Sequence, residues 1–130
     1  MFYIYRNMSF VLRQFDFLIS NSAKSDYKSC HYIMAMGNRS DGVKVFSSNG
    51  AAKYSEGDLD IKIKIGHAEQ KLVRKLDKGS EVYVARLLKD GSFALAKPCK
   101  MCRSLMKFKG VSRAYYTIGP AEYGVIDFNV

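Results

Sequence analysis

The stretch EVYVARLLKDGSFALAKPCKMCRSLMKFKG, residues 81–110, decides the fold. EVYVARLL is a β-branched, apolar run and reads as a strand. KDGS is a turn, and FALA continues as a short strand. The period then changes to that of a helix over PCKMCRSLMKFKG. Pro98 suits the first turn, Cys102, Leu105 and Met106 share one face, and Gly110 stops it. SRAYYTI, residues 112–118, returns to strand, and its alternation turns either Tyr115 or Tyr116 inward. Strand, helix and strand in succession point to α/β architecture.

Working outward, HAEQKLVRKL (67–76) carries Ala68, Leu72, Val73 and Leu76 as a helical stripe, with Gly79 just past its end. CHYIMAM reads as a buried strand, GNRSDG as a turn and VKVFSS as a second strand, so residues 31–48 form a hairpin. In SFVLRQFDFLIS (9–20), Val11, Phe15 and Leu18 have helical spacing, and Asn7 or Ser9 is the candidate cap. LDIKIKI (59–65) alternates strictly, as a strand or an extended surface loop would. GPAEYG reads as a turn and VIDF as a last short strand. That connection is too short for a crossover helix, so the last two strands should be antiparallel neighbours. The sum is a mixed sheet with helices on its faces.

The chain has 130 residues, 48% of them apolar, which suits one globular domain spanning 1–130. No apolar run approaches the ~20 residues of a membrane span. The start is broken by Arg6, Asn7, Arg13 and Gln14 and lacks a small-residue cleavage pattern, so no signal peptide is read. Three cysteines are an odd set for a disulfide framework, which implies a reduced, cytoplasmic protein. The net charge of +9 suits an anionic partner, or is simply a basic surface, since the lysines are spread along the chain.

Two of the three cysteines fall in AKPCKMC (96–102). A CxxC alone is a redox pair, half of a zinc ribbon or an accident. HAE (67–69), at the other helix start, supplies its partner. Cys99 and Cys102, three apart, leave the same side of a first helical turn, where the partial positive charge favours thiolates. With His67 as third ligand and an open fourth position they describe a catalytic zinc site. Water in that position has its pKa lowered toward about 7. Glu69 can reach the water without occupying the metal and carry its proton to a substrate. The competing arrangement is a closed structural zinc site completed by Cys30 or His31. Cys30 otherwise reads as a small buried hydrophobe, and His31 as a core or pocket residue.

HAE followed by PCKMC resembles the H-x-E … P-C-x-x-C signature of zinc-dependent nucleobase deaminases. The chain is similar to the cytidine deaminase-like superfamily over residues 30–128, with metal helix, central strand, cysteine helix and next strand in the same order. The resemblance implies a three-layer α-β-α fold on a mixed five-stranded sheet whose last two strands are antiparallel. Residues 1–29 would then be an N-terminal helix and connector, and 30–128 the core of the same domain. It further implies His67, Cys99 and Cys102 as Zn2+ ligands and Glu69 as the proton shuttle. Asn49 matches the asparagine that contacts the sugar, unless it is an ordinary Asn-Gly turn. The backbone at Ala68 and at Lys97, before Pro98, would face the polar edge of the base.

The implied reaction is hydrolytic deamination of cytosine to uracil. The substrate would be cytidine, deoxycytidine or their monophosphates, in a small closed pocket built by a homo-oligomer. The alternative is cytosine in single-stranded DNA or RNA, bound in an open groove. Lys100, Arg103, Lys107 and Lys109 on the cysteine helix, with Lys97 and Arg86, are the candidate phosphate contacts. Tyr54 and Tyr123 are placed in loops where they could stack on the base. The chain has no Trp, so the tryptophan-containing cysteine motif of the polynucleotide-editing branch is missing. A third reading is a basic nucleic-acid-binding module that keeps zinc without catalysis.

Overall fold

The computed structural model describes residues 7–21, 32–48, 68–88 and 90–129. Its centre is β3 (Glu81–Leu87), in which Glu81 through Ala85 are all buried. A strand covered on both faces belongs in the middle of a layered sheet. β3 pairs antiparallel with β1 (Tyr32–Asn38) on one side and parallel with β5 (Arg113–Gly119) on the other. β2 (Lys44–Ser48) extends the sheet antiparallel beyond β1, and β6 (Glu122–Asp127) does so beyond β5. The two-residue β4 (Phe93–Ala94) pairs antiparallel with the end of β3. Among the described residues this is a six-stranded mixed sheet of order β2-β1-β3-β5-β6, with β4 beside β3, and three helices. The helices are α1 (Met8–Ser20), α2 (Ala68–Val73) and α3 (Lys100–Lys109).

Five strands were expected, and β4 is the sixth. Leu88 N–H donates to the Ser92 carbonyl, and the Asp90 carboxylate accepts from both the Ser92 amide and its hydroxyl. That closed turn folds residues 93–94 back onto Arg86 and Leu87. Three boundaries also differ. The cysteine helix begins at Lys100 with Cys99 as N-cap, so Pro98 lies before the helix and not in its first turn. α2 ends at Val73, and Leu76, although buried, belongs to the turn that follows. The last turn is only Pro120–Ala121, because Glu122, Tyr123 and Gly124 already pair with β5.

Alternation along the strands separates two cores. On one face α1 sets Val11, Phe15 and Leu18 against Met34, Met36, Tyr83, Ala85, Leu87 and Tyr115. Tyr83 and Tyr115 are register partners and stack at 4.9 Å, with Phe15 edge-on to Tyr83 at 5.8 Å. Asn7 caps α1 by accepting the Phe10 amide at 2.8 Å. On the other face α2 and α3 bury Ala68, Leu72 and Met106 against Ala35, Val82, Val84 and Ala114. Small residues let these helices approach closely. A Cβ on Gly37 would collide with the side chain of Leu76, in the segment that follows α2. Gly110, left-handed at φ 96, ends α3, and its amide returns to the carbonyls of Met106 and Lys107. α1 thus forms a layer on the sheet face opposite the other two helices. Among the described residues no helix is long and apolar enough to cross a membrane.

One polar row crosses the α1 face. Lys44, Asn38, Glu81, Arg113 and Asp127 are successive register partners on five strands. Lys44 donates to Asn38 at 2.8 Å and to Gln14 of α1 at 3.2 Å. Arg113 lies between Glu81, at 3.5 Å, and Asp127, at 3.7 Å. The row closes the lower margin of the tyrosine core with charges of alternating sign. Below it, Asp77 ties the β1–β2 turn to the α2–β3 loop by accepting from the Ser40 amide and hydroxyl and from the Ser80 hydroxyl.

Removing the guanidinium leaves two shielded carboxylates facing each other. Arg113→Met should therefore cost about 3 kcal/mol in urea unfolding at pH 7. The triple change Glu81→Gln, Arg113→Met, Asp127→Asn should recover most of it, and equal loss in both would mean that packing and not charge is responsible. The hydroxyl of Ser40 first, then that of Ser80, holds the Asp77 carboxyl well below the usual carboxylate range. A depressed folded-state value stabilises above the unfolded value and is lost on acidification. The stability gap between wild type and Asp77→Asn should be full at pH 5–7 and begin to close below about pH 4. A gap that stays constant to pH 3 would refute this.

Candidate functional site

Short connections lead α2 into β3 and α3 into β5, and β3 and β5 are parallel. Both helices therefore begin at the sheet edge where those two strands end. Two bonds fix this placement. Ser47, near the end of β2, donates its hydroxyl to the Ala68 carbonyl at the start of α2. Ala96, three residues before Cys99, donates its amide to the Thr117 carbonyl near the end of β5 at 2.9 Å. α2 and α3 pack against each other, and Ala68 and Ala96 share one apolar cluster with Ala35, Val84 and Met106.

At this edge Cys99 takes the N-cap position of α3 with extended backbone (φ −68, ψ 168), and the residue is exposed. Cys102, in the first turn, is buried. The two thiols thus face different surroundings, although they belong to one turn. Arg103 closes that turn from both ends. Its amide donates to the Cys99 carbonyl at 2.9 Å, and its guanidinium donates to the Pro98 carbonyl at 2.8 Å. Pro98 is itself buried. Upstream, Thr117 donates its hydroxyl to the Ala94 carbonyl at 2.7 Å and accepts the Arg86 amide at 3.3 Å. The approach to Cys99 is therefore pinned to β5 at two points, by the Thr117 hydroxyl at Ala94 and by the Thr117 carbonyl at Ala96.

On α2, Ala68 is fully buried and Glu69 is only 4% exposed. A carboxylate this enclosed lies on the same face and edge of the sheet as the cysteine turn. Arg86 belongs to the same face, since it alternates with Val82 and Val84. Tyr116 also lies on this side.

Other expected contacts lie elsewhere. Tyr123 is on β6 and packs among Phe15 and Tyr115, on the α1 face. The sheet stands between it and Glu69, so it cannot stack on a base held there. Its misplacement follows from the turn, which is two residues long, so that strand parity fixes the ring inward. Lys97 and Lys100 are exposed beside the cysteine turn. Lys107 and Lys109 fall in the last turn of α3, at least about 10 Å along the axis from its start. Arg103 is engaged with the backbone and is no longer an unassigned phosphate contact. His67, Asn49, Tyr54, Cys30, His31 and the LDIKIKI segment lie outside the described residues.

Ser47 and Thr117 were not singled out in the sequence. Thr117 carried a faint signal, as the polar residue at a buried position in the AYYTI run. Ser47 carried none, since its partner is far along the chain. No family model matches the chain, and no curated protein and no solved structure matches it either.

The donors at this edge are two thiols of one turn and an enclosed carboxylate. Thiolates are soft ligands that suit zinc, and the i, i+3 spacing presents both from one helix start. In chelator-treated protein, iodoacetamide should modify Cys99 rapidly and Cys102 only on unfolding, as read by peptide mass. Stoichiometric zinc should slow the reaction of Cys99 at least tenfold. Equal reactivity of the two thiols would contradict the burial difference, and no protection would argue against thiolate coordination.

Proposed function

We propose that this chain is a zinc-dependent hydrolytic deaminase that converts cytosine to uracil, with the three-layer fold of the cytidine deaminase-like superfamily. The observation that carries the proposal is that the two helices packed on one sheet face carry Glu69 and the Cys99–Cys102 turn at their starts, which lie on the edge where the parallel β3 and β5 end. His67, next to Ala68, would complete the ligand set with Cys99 and Cys102. Bound zinc supplies the Lewis acidity that makes water nucleophilic near neutral pH. Glu69 would take one proton from the attacking water and give it to the ring nitrogen, then take the second from the hydroxyl now on the ring carbon and give it to the amino group, which leaves as ammonia while the carbonyl of uracil forms. Its enclosure keeps these protons from bulk solvent. The backbone of Ala68, whose carbonyl accepts from the Ser47 hydroxyl, would face the polar edge of the base. Lys97 and Pro98 would border the base from the other side, Asn49 would contact the sugar, and Tyr54 would stack.

The carrier of the cytosine is either a free nucleoside or monophosphate, in a pocket completed by a second copy, or a single-stranded polynucleotide. The cations of α3 favour the second. Lys107 and Lys109 lie too far from the start of the helix to serve the phosphate of one nucleotide there, whereas a polymer extends that far.

Glu69→Ala should lower kcat by 10²–10⁴ while one zinc per chain is retained by elemental analysis. Uracil should be counted after incubation with deoxycytidine monophosphate and with a cytosine-containing single-stranded oligonucleotide at equal cytosine concentration. Turnover unchanged in Glu69→Ala would exclude the assigned role. Absence of turnover by wild type on either substrate would leave the module.

A further inference from the structure

From residue 97 to residue 109 the chain carries Lys97, Lys100, Arg103, Lys107 and Lys109 and no acidic residue. What sets this run apart is that no carboxylate within it balances its five cations. α3 buries Cys102 and Met106 and turns the opposite side to solvent. On that side stands Phe108, 91% exposed, with Met101, 44% exposed, seven positions earlier. Lys100 and Lys107, also seven apart, flank them and are exposed. Seven residues are about two helical turns, so each pair lies on one line along the helix, its members about 10 Å apart. A lone exposed apolar residue is ordinary on any protein. Here a bare aromatic ring, a thioether and two lysines form one ridge, and the ridge begins at the cysteine turn.

We infer that the outward face of α3 is a binding surface for single-stranded nucleic acid. Cations that follow a backbone, interleaved with an aromatic ring for base stacking, are what such a ligand requires. Its phosphates meet Lys100 and Lys107, and an unpaired base lies on Phe108. A mononucleotide has one phosphate cluster and one base and cannot reach both ends of the ridge. Double-stranded DNA conceals the base faces that Phe108 would use. The link from this surface to catalysis rests on the deaminase reading, but the binding does not.

The test is fluorescence anisotropy of the full chain with a 5′-labelled, 12-nucleotide oligodeoxycytidylate. Phe108→Ala should weaken binding about tenfold and Phe108→Tyr should restore it. In Lys100→Ala/Lys107→Ala the slope of log affinity against log salt should fall by about 1.4, from two phosphate contacts of about 0.7 each. Met8→Ala, an exposed apolar change on the α1 side, should leave affinity unchanged. Equal affinity of Phe108→Ala and wild type would overturn the inference. So would a Phe108 effect seen only on vesicles of phosphatidylserine and phosphatidylcholine, which would make the ridge a membrane contact. Deamination of deoxycytidine monophosphate without oligonucleotide binding would reject the surface and keep the enzyme. Binding that depends on Phe108, without turnover of any cytosine, would do the reverse.

Discussion

β3 is hydrogen-bonded on both sides and covered on both faces, and the parity of its residues governs the rest of the structure. Its odd-numbered residues, Glu81, Tyr83, Ala85 and Leu87, face α1. Its even-numbered ones, Val82, Val84 and Arg86, face α2 and α3. A slip of one residue would exchange the two sets and place Tyr83 under helices that are packed on alanine and glycine. The stacked tyrosines and the Glu81–Arg113–Asp127 row both depend on that register. The row adds specificity to it, since opposite charges meet only in this alignment.

The same parity decides what can take part in the site. Glu69, the cysteine turn, Arg86 and Tyr116 share the α2/α3 face, whereas Tyr123 and Tyr115 lie behind the sheet. Because β3 and β5 are parallel, the helices leading into them start side by side. Two segments distant in sequence thus bring their helix starts to one edge without a dedicated loop between them. This is the usual consequence of parallel strands, whose carboxyl edges collect functional groups.

What could be read in the sequence was local. The spacing of Val11, Phe15 and Leu18, the Asn7 cap, the Gly110 stop and the β1–β2 hairpin each depend on residues within a few positions of one another. The antiparallel pairing of the last two strands was likewise legible, from the shortness of their connection. What escaped was set by long-range pairing. The side taken by Tyr123 follows from its register with Thr117, and the polar row from five separate strands. The Ser47 and Thr117 contacts escaped for the same reason. The cysteine pair and the HAE motif drew attention because chemistry-bearing residues are rare enough to stand out. The geometry of His67, and hence of the whole ligand set, lies outside the described residues.

Charge shows how composition and position differ. The +9 balance alone was consistent with a plain basic surface. The structure divides the cations by their surroundings. Arg113 is held between two carboxylates, Arg103 holds the Pro98 carbonyl, and Lys44 bridges α1 and β1. These three support the fold. Lys97, Lys100 and Lys107 are exposed, and α3 has no carboxylate to balance its lysines. A cation already bound to the backbone adds to the field around the site but has less freedom to follow a ligand. The exposed ones keep that freedom, and they extend along one helix away from the cysteine turn. The distribution of the positive charge, more than its amount, therefore favours an extended anion over a compact one.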